Sequence, residues 1–213
     1  MTSSRSRSPQ QKHQRPGTLF LLVGPSRVGK DSILKALLRT PSLKLRKLVT
    51  VTTRERRPRE VPGRTYHYVS EDEFIRRQQQ HAFLEWAPVR NHRFGTPCEP
   101  LLTWLNAGQD VVQQVDVRGA DALRTHGDLH VVTIFILPGS VDDLKRRLDQ
   151  PAFTPEQRRI RWQEALHELQ KQTEYDYRVV NTVGKLDQAV AEVVGIIRAV
   201  RGEQRRTSTR HRS

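Results

Sequence analysis

TLFLLVGPSRVGKDS, residues 18–32, runs an apolar segment into a glycine-bearing turn and then into a helical pattern. Thr18 to Val23 is short and almost wholly apolar, the signature of a strand buried on both faces. Gly24 interrupts it, and Ser32-Ile33-Leu34-Lys35-Ala36-Leu37-Leu38 opens a helix. Gly24, Gly29 and Lys30 have the GxxxxGK spacing of a phosphate loop. The glycines let backbone N–H groups turn inward, and the helix adds its positive N-terminal end. The candidate ATP-binding residues are Gly24, Pro25, Ser26, Arg27, Val28, Gly29, Lys30, Asp31 and Ser32, with Lys30 reaching the β- and γ-phosphates. The residue after the lysine is ordinarily Ser or Thr, whose hydroxyl binds Mg²⁺. Here it is Asp31. A carboxylate is a hard oxygen ligand, so Asp31 is the candidate Mg²⁺ residue, with Ser32 beside it. The other account of Asp31 is an acid in the first turn of a helix.

The chain has 213 residues, enough for one α/β domain with smaller inserted lobes. Hydrophobic content is 35% and mean hydropathy −0.68, both low for a packed domain. The ends explain part of this. Residues 1–17 and 201–213 together carry 8 of the 14 net positive charges and are rich in Ser, Gln and Arg. Such composition predicts disordered basic tails. They read first as solubilising and second as loose contacts for nucleic acid. A single cysteine, Cys98, excludes an intramolecular disulfide and fits a reducing compartment. No apolar run approaches 18 residues and no signal segment is evident, so a cytoplasmic protein with no membrane partner is expected.

Beyond the first helix, Pro41 to Leu48 reads as a basic connector and Leu48 to Thr53 as β-prone. Arg54, Arg56, Arg57, Arg59 and Arg64 crowd a Pro/Gly loop, and Tyr66 to Val69 reads as a second short strand. The arginines suit either a bidentate grip on phosphate or an ordinary solvated loop. Ser70 is the expected cap of the next helix, with Glu71, Asp72 and Glu73 in its first turn. Val111 to Asp116 is a β-prone run ending in an acid. Residues 131–137, VVTIFIL, are a central parallel strand, followed by a helix over Val141 to Leu148 capped by Ser140. The last helix spans Leu186 to Val200 and turns one broad apolar face to the core.

Several of these segments together resemble the guanylate kinase family. Thr52-Thr53-Arg54-x-x-Arg57-x-x-Glu60-x-x-Gly63-x-x-Tyr66 is similar to the family's TTRxxRxGExxGxxY, with Arg59 in place of a glycine. The phosphate loop resembles GPSGxGKS, with Arg27 in place of a glycine. Phe83-Leu84-Glu85-Trp86-Ala87, Phe94-Gly95-Thr96, Val115-Asp116-Val117-Arg118-Gly119-Ala120 and Tyr175 to Asn181 resemble FxEwA, YGT, IDxQGA and DYvivN in the same order. The likeness covers about residues 18–200. It implies an α/β fold: a P-loop NTPase parallel-sheet core (18–48, 100–140 and 163–200), an inserted GMP-binding lobe (49–99) and a helical lid (141–162).

The resemblance also assigns roles. Arg54, Arg57 and Tyr66 would hold the phosphate of GMP, with Glu60 in the same motif. Phe94 stands where the family has a second phosphate-binding tyrosine and lacks its hydroxyl. Glu85, Thr96 and Asp116 would read guanine: carboxylates accept from N1–H and the exocyclic amine, and a hydroxyl donates to O6. The residues alone leave Asp116 open, since an acid ending such a strand also holds Mg²⁺ through water in many phosphate-loop enzymes. The family's second acid, two residues earlier, is here the neutral Gln114, which leaves Asp31 as a compensating acid. Arg147 and Arg161 match lid arginines. The family's Arg-Gly-Thr is absent: Gln150-Pro151-Ala152-Phe153-Thr154 stands there, one residue short, with Arg146, Arg158 or Arg159 as substitutes for the missing arginine.

The expected activity is Mg²⁺- and ATP-dependent phosphorylation of GMP, with dGMP also accepted, in purine nucleotide recycling. Lys30, Arg54, Arg57, Arg147 and Arg161 are the candidate catalytic residues. Three rivals remain: a ribose 1,5-bisphosphate phosphokinase, which the Gly-Lys-Asp-Ser loop resembles, a weakly active guanylate-kinase-like binding module, and nucleic-acid binding as the main role, which rests only on the basic tails.

Overall fold

The computed structural model describes residues 15–89, 91–151 and 153–210. Its core is a five-stranded, wholly parallel sheet in the order β2-β7-β1-β8-β9. The strands are β1 (Leu19–Val23), β2 (Arg46–Lys47), β7 (Val111–Gln114), β8 (Val131–Pro138) and β9 (Tyr177–Asn181). All five residues of β1, which is central, are buried. Period two sorts them. Phe20 and Leu22 point to the face covered by α1 (Lys30–Leu38) and α7 (Leu186–Arg210). Leu19, Leu21 and Val23 point to the face covered by α3 (Cys98–Asn106) and α4 (Val117–Arg124). An uninterrupted apolar run is what a parallel strand with helices on both faces requires.

A second, four-stranded sheet, ordered β4-β3-β6-β5, is inserted between β2 and α3. It contains β3 (Val51–Thr52), β4 (His67–Tyr68), β5 (Phe83–Val89) and β6 (His92–Pro97), with α2 (Glu71–Gln79) packed on it through Phe74, whose ring stacks on Phe83 at 4.6 Å. Ser70 caps α2 by accepting from the Glu73 N–H, as expected. Ser140 likewise caps α5 (Val141–Leu148) through Asp143 N–H. Thr154 and Gln157 form a reciprocal capping box at the start of α6 (Pro155–Gln170). Pairing in the inserted sheet is shorter than the β-prone runs predict: of Leu48 to Thr53 only Val51 and Thr52 are in a strand. The basic connector, in turn, contains β2, whose two basic residues reach the core sheet through backbone bonds to β7.

Two expectations about the ends are corrected. The last helix continues ten residues past Val200, to Arg210, and residues 15–17 lie against the core. The physical reason is Asp110, which is 4% exposed and would be costly to bury alone. Its carboxylate accepts from Arg201 Nε at 2.7 Å, from Arg15 at 3.2 Å and from the Thr18 N–H at 2.8 Å. Arg201 also donates to the Leu43 carbonyl, and Gln204 donates to Thr18 Oγ1 at 3.0 Å and accepts from Arg15. Arg15 and the stretch from Arg201 to Gln204 are therefore tied to the folded unit. The predicted tails over 1–14 and 211–213 lie outside the described residues.

Candidate active site

The loop after β1 leaves the sheet at its C-terminal edge, where open α/β sheets place their ligands. Gly24 (φ 128°) passes so close to β8 that a Cβ would stand 2.5 Å from the Ile136 carbonyl oxygen. At Gly29 (φ 103°) a Cβ would meet the Asn181 amide at 2.2 Å, the same amide that donates to Val28 O at 2.8 Å. Both positions need glycine for space as well as for φ. Lys30 opens α1, and its ammonium donates to Pro25 O at 2.9 Å and to Gly24 O. Burial pushes this ammonium below its ordinary pKa, against the opposing charges of Glu168, Asp31 and Asp116.

Two adjoining cavities open beside the loop, of about 850 and 400 Å³, sharing Ser26, Tyr66, Phe94, Gln113 and Gln114 in their walls. Arg54, Arg57, Glu60, Asp31 and Arg161 line the larger one. At its centre Glu60 organises the arginine loop. Both its oxygens accept from Arg54, at 2.8 and 3.0 Å, and it also accepts from the Arg57 N–H and the Tyr68 hydroxyl, each at 2.8 Å. Burial works against both charges of the pair, yet the shared bonds outweigh it: Glu60 lies below and Arg54 above its ordinary pKa. The Arg54 guanidinium also lies over the Tyr66 ring at 5.4 Å and the Tyr68 ring at 6.0 Å. Glu60 is thus a positioning group, and Tyr68 helps to hold it. Tyr66 meets Phe94 edge to face at 5.8 Å. Burial, with the Asp31 charge behind it, raises the Tyr66 phenol pKa and keeps its proton on.

Lys30, Glu85, Asp116, Glu164 and Glu168 line the smaller cavity. Glu85 and Asp116 converge on Gly119, where a Cβ would stand 3.3 Å from Asp116 Oδ1 and 3.6 Å from Glu85 Oε2. Asp116 caps α4, accepting from the Gly119 N–H at 2.8 Å, which leaves its other oxygen for the cavity. The Thr96 hydroxyl donates to Glu85 Oε1 and accepts from Gln113 Nε2 at 3.0 Å. That single hydroxyl proton is engaged with Glu85, so Thr96 as placed orients the carboxylate. Burial raises the Glu85 pKa to about 7, aided by the Asp116 charge and opposed by the Thr96 bond.

Arg147 and Arg161 approach the loop from the other side. Arg147 pairs with Asp143 at 2.6 Å and donates to Val28 O at 3.1 Å and Asn181 O at 3.0 Å. Arg161 stacks on Phe153 with its guanidinium carbon 3.9 Å from the ring centre. The three proposed stand-ins for the missing arginine face acids: Arg146 with Asp143, Arg158 with Asp149 and Arg159 with Glu156. Ala152, in the same connection, lies outside the described residues.

Gln113 and Tyr68 are site residues that motif reading passes over. The readable signal for Gln113 is a polar side chain, 2% exposed, in an otherwise apolar buried strand. Asp31 and Gln114 face each other across the groove, Gln114 Nε2 donating to Asp31 Oδ1 at 2.6 Å, and Gln114 Oε1 is buried without a partner. Among the described residues no group of three or more His, Cys, Asp or Glu forms a metal cage. One carboxylate beside an amide oxygen fits a Mg²⁺ that takes most of its ligands from phosphate and water.

Residues 16–200 match the family profile described as guanylate kinase. A guanylate kinase of Bradyrhizobium diazoefficiens is 40% identical over 195 residues, 91% of this chain and 87% of the relative. One from Brucella melitensis is 39% identical over 188 residues, 88% of this chain and 84% of the relative. The crystal structure of guanylate kinase from Anaplasma phagocytophilum superposes with a TM-score of 0.72 at 27% identity, over 87% of each chain.

Proposed function

The chain belongs to the guanylate kinase family, and from that membership we propose that it transfers the terminal phosphoryl group of ATP to GMP. One observation carries the proposal: a phosphate loop, a guanidinium patch and a pair of carboxylates line two adjoining cavities with shared walls. The loop N–H groups and Lys30 hold the donor phosphates. Arg54 and Arg57, with the Tyr66 hydroxyl, hold the acceptor phosphate. Glu85 and Asp116 accept from guanine N1–H and its amine. An oxygen of the GMP phosphate attacks the γ-phosphorus in line, the bond to the β,γ-bridging oxygen breaks, and ADP leaves. No covalent enzyme intermediate is needed; positioning and charge supply the rate. Arg147 and Arg161 neutralise charge on the donor side. Mg²⁺, when bound, would offset the phosphate charge; Asp31 would hold it, with Gln114 Oε1 adjoining. Among the described lining residues none is assigned to the ribose 2′-OH, and dGMP is the expected second acceptor. The work fits cytoplasmic purine nucleotide recycling.

ADP release with GMP, dGMP, AMP and ribose 1,5-bisphosphate as acceptors tests this. GMP and dGMP turn over, and AMP, which strands two half-buried carboxylates, is at least about 10⁴-fold slower in kcat/KM. Equal rates with GMP and AMP would remove Glu85 and Asp116 from base reading. Turnover with the ribose bisphosphate alone would make the Asp31 loop the true signature.

The raised Glu85 pKa gives a second test. Guanine needs the ionised carboxylate, so KM for GMP rises as pH falls below about 7, by about tenfold per unit. Stability moves the other way. The unfolded carboxyl loses its proton near 4.5 and the folded one near 7, so stability declines as pH rises between those values. Glu85→Gln removes both trends. A KM for GMP that stays flat from pH 5.5 to 8.5 in the unmodified protein would refute the assignment.

A further inference from the structure

Arg27 sits at the tip of the phosphate loop with φ 67°, the left-handed region that an arginine enters at a cost of about 1–2 kcal/mol. A glycine would take the same turn without strain. Strain kept at a cavity wall calls for a compensating interaction, and it is not an ion pair: among the described residues Arg27 has no carboxylate partner. Its guanidinium is exposed, lines the larger cavity, and has one aromatic contact, the Phe153 ring at 5.9 Å. Arg161 lies over the same ring at 3.9 Å. One ring thus gathers two guanidinium groups, one from the loop and one from α6, although like charges repel. A ring quadrupole can hold two cations near each other, and an anion between them turns the repulsion into attraction. The arginines of α5 and the other arginines of α6 are committed elsewhere: Arg147 to Asp143 and two carbonyls, Arg146 to Asp143, and Arg158 and Arg159 to their own acids.

We infer that Arg27 is a polyphosphate-binding residue, which with Arg161 clamps the terminal phosphates of ATP while Phe153 holds both guanidinium groups ready. The inference rests on the reading of this loop as the ATP site, and is independent of which acceptor is phosphorylated. Guanidinium forks suit phosphate oxygens, and a clamp built partly into the loop itself is in register with the donor before the helices beyond it move.

Calorimetric binding of ATP and of AMP to the full chain, for the unmodified protein, Arg27→Gly and Arg27→Lys, decides it. Glycine fits φ 67°, so Arg27→Gly has an unchanged or higher Tm, and any loss of affinity is not misfolding. The expected result is a weakening of ATP binding by about ten- to a hundredfold in Arg27→Gly. A smaller loss is expected in Arg27→Lys, and none for AMP, which lacks the terminal phosphates. Unchanged ATP affinity in Arg27→Gly, or an equal loss for ATP and AMP, overturns the inference. Failure of GMP turnover in the unmodified protein would leave these binding ratios intact, so the two readings fail separately.

Discussion

Lys30→Met lowers kcat for phosphoryl transfer by about a thousandfold, the size seen when one preorganised charge-stabilising donor is removed from an active site. The ammonium is the one cation in the loop that is drawn inward onto loop carbonyls, so it meets a transferring phosphoryl group in a half-buried setting where charge counts more than in water. Methionine keeps the length of the stem and drops a charge that burial already disfavours, so the Tm of the variant is unchanged or raised. ADP release followed under saturating substrates, alongside calorimetric unfolding, checks both halves. A variant keeping a tenth or more of the activity would show that the loop binds without catalysing.

Asp31→Asn comes second: it raises the Mg²⁺ concentration needed for half-maximal rate by about ten- to a hundredfold. The reason is the 2.6 Å bond between Gln114 Nε2 and Asp31 Oδ1. It shows that the tip of β7 and the first turn of α1 share one spot, so a negative charge on either element serves the same region. Adding Gln114→Asp to Asp31→Asn therefore restores most of the Mg²⁺ response. Binding of Mn²⁺ in the presence of ADP, read by its electron paramagnetic resonance, follows the same pattern without turnover. If Asp31→Asn leaves both the Mg²⁺ requirement and Mn²⁺ binding untouched, Asp31 is only a helix N-terminal acid.

Much of this was legible where a residue's job is local. Ser70 and Ser140 could be read as caps because a cap needs only the next three residues. The glycine spacing of the loop was legible because φ and close approach are properties of those positions. Glu60 was different. It carries a motif position, yet its role comes from Tyr68 and from a loop path that brings Arg54 and the Arg57 N–H to one carboxylate. The Gln113–Thr96–Glu85 relay joins three strands, and nothing in any one of them announces the other two. The extent of α7 was hidden for a similar reason. Arg201 and Gln204 look like part of a polar tail until Asp110, 91 residues away from Arg201, is seen to need them. β2 was missed because two basic residues carry no apolar pattern, and backbone pairing with β7 suffices.

The joint at Asp110 has a practical side. Arg15 and Gln204 touch there, so the two ends of the folded unit leave side by side. They do so beside the Thr18 end of β1, whereas the phosphate loop leaves from Val23 at the other end of the same strand. A tag, a surface tether or a fused reporter at either end is thereby kept a strand's length from the cavities. A short linker between the ends would also close the backbone into a ring, so that new ends could be opened elsewhere with the sheet order left as it is.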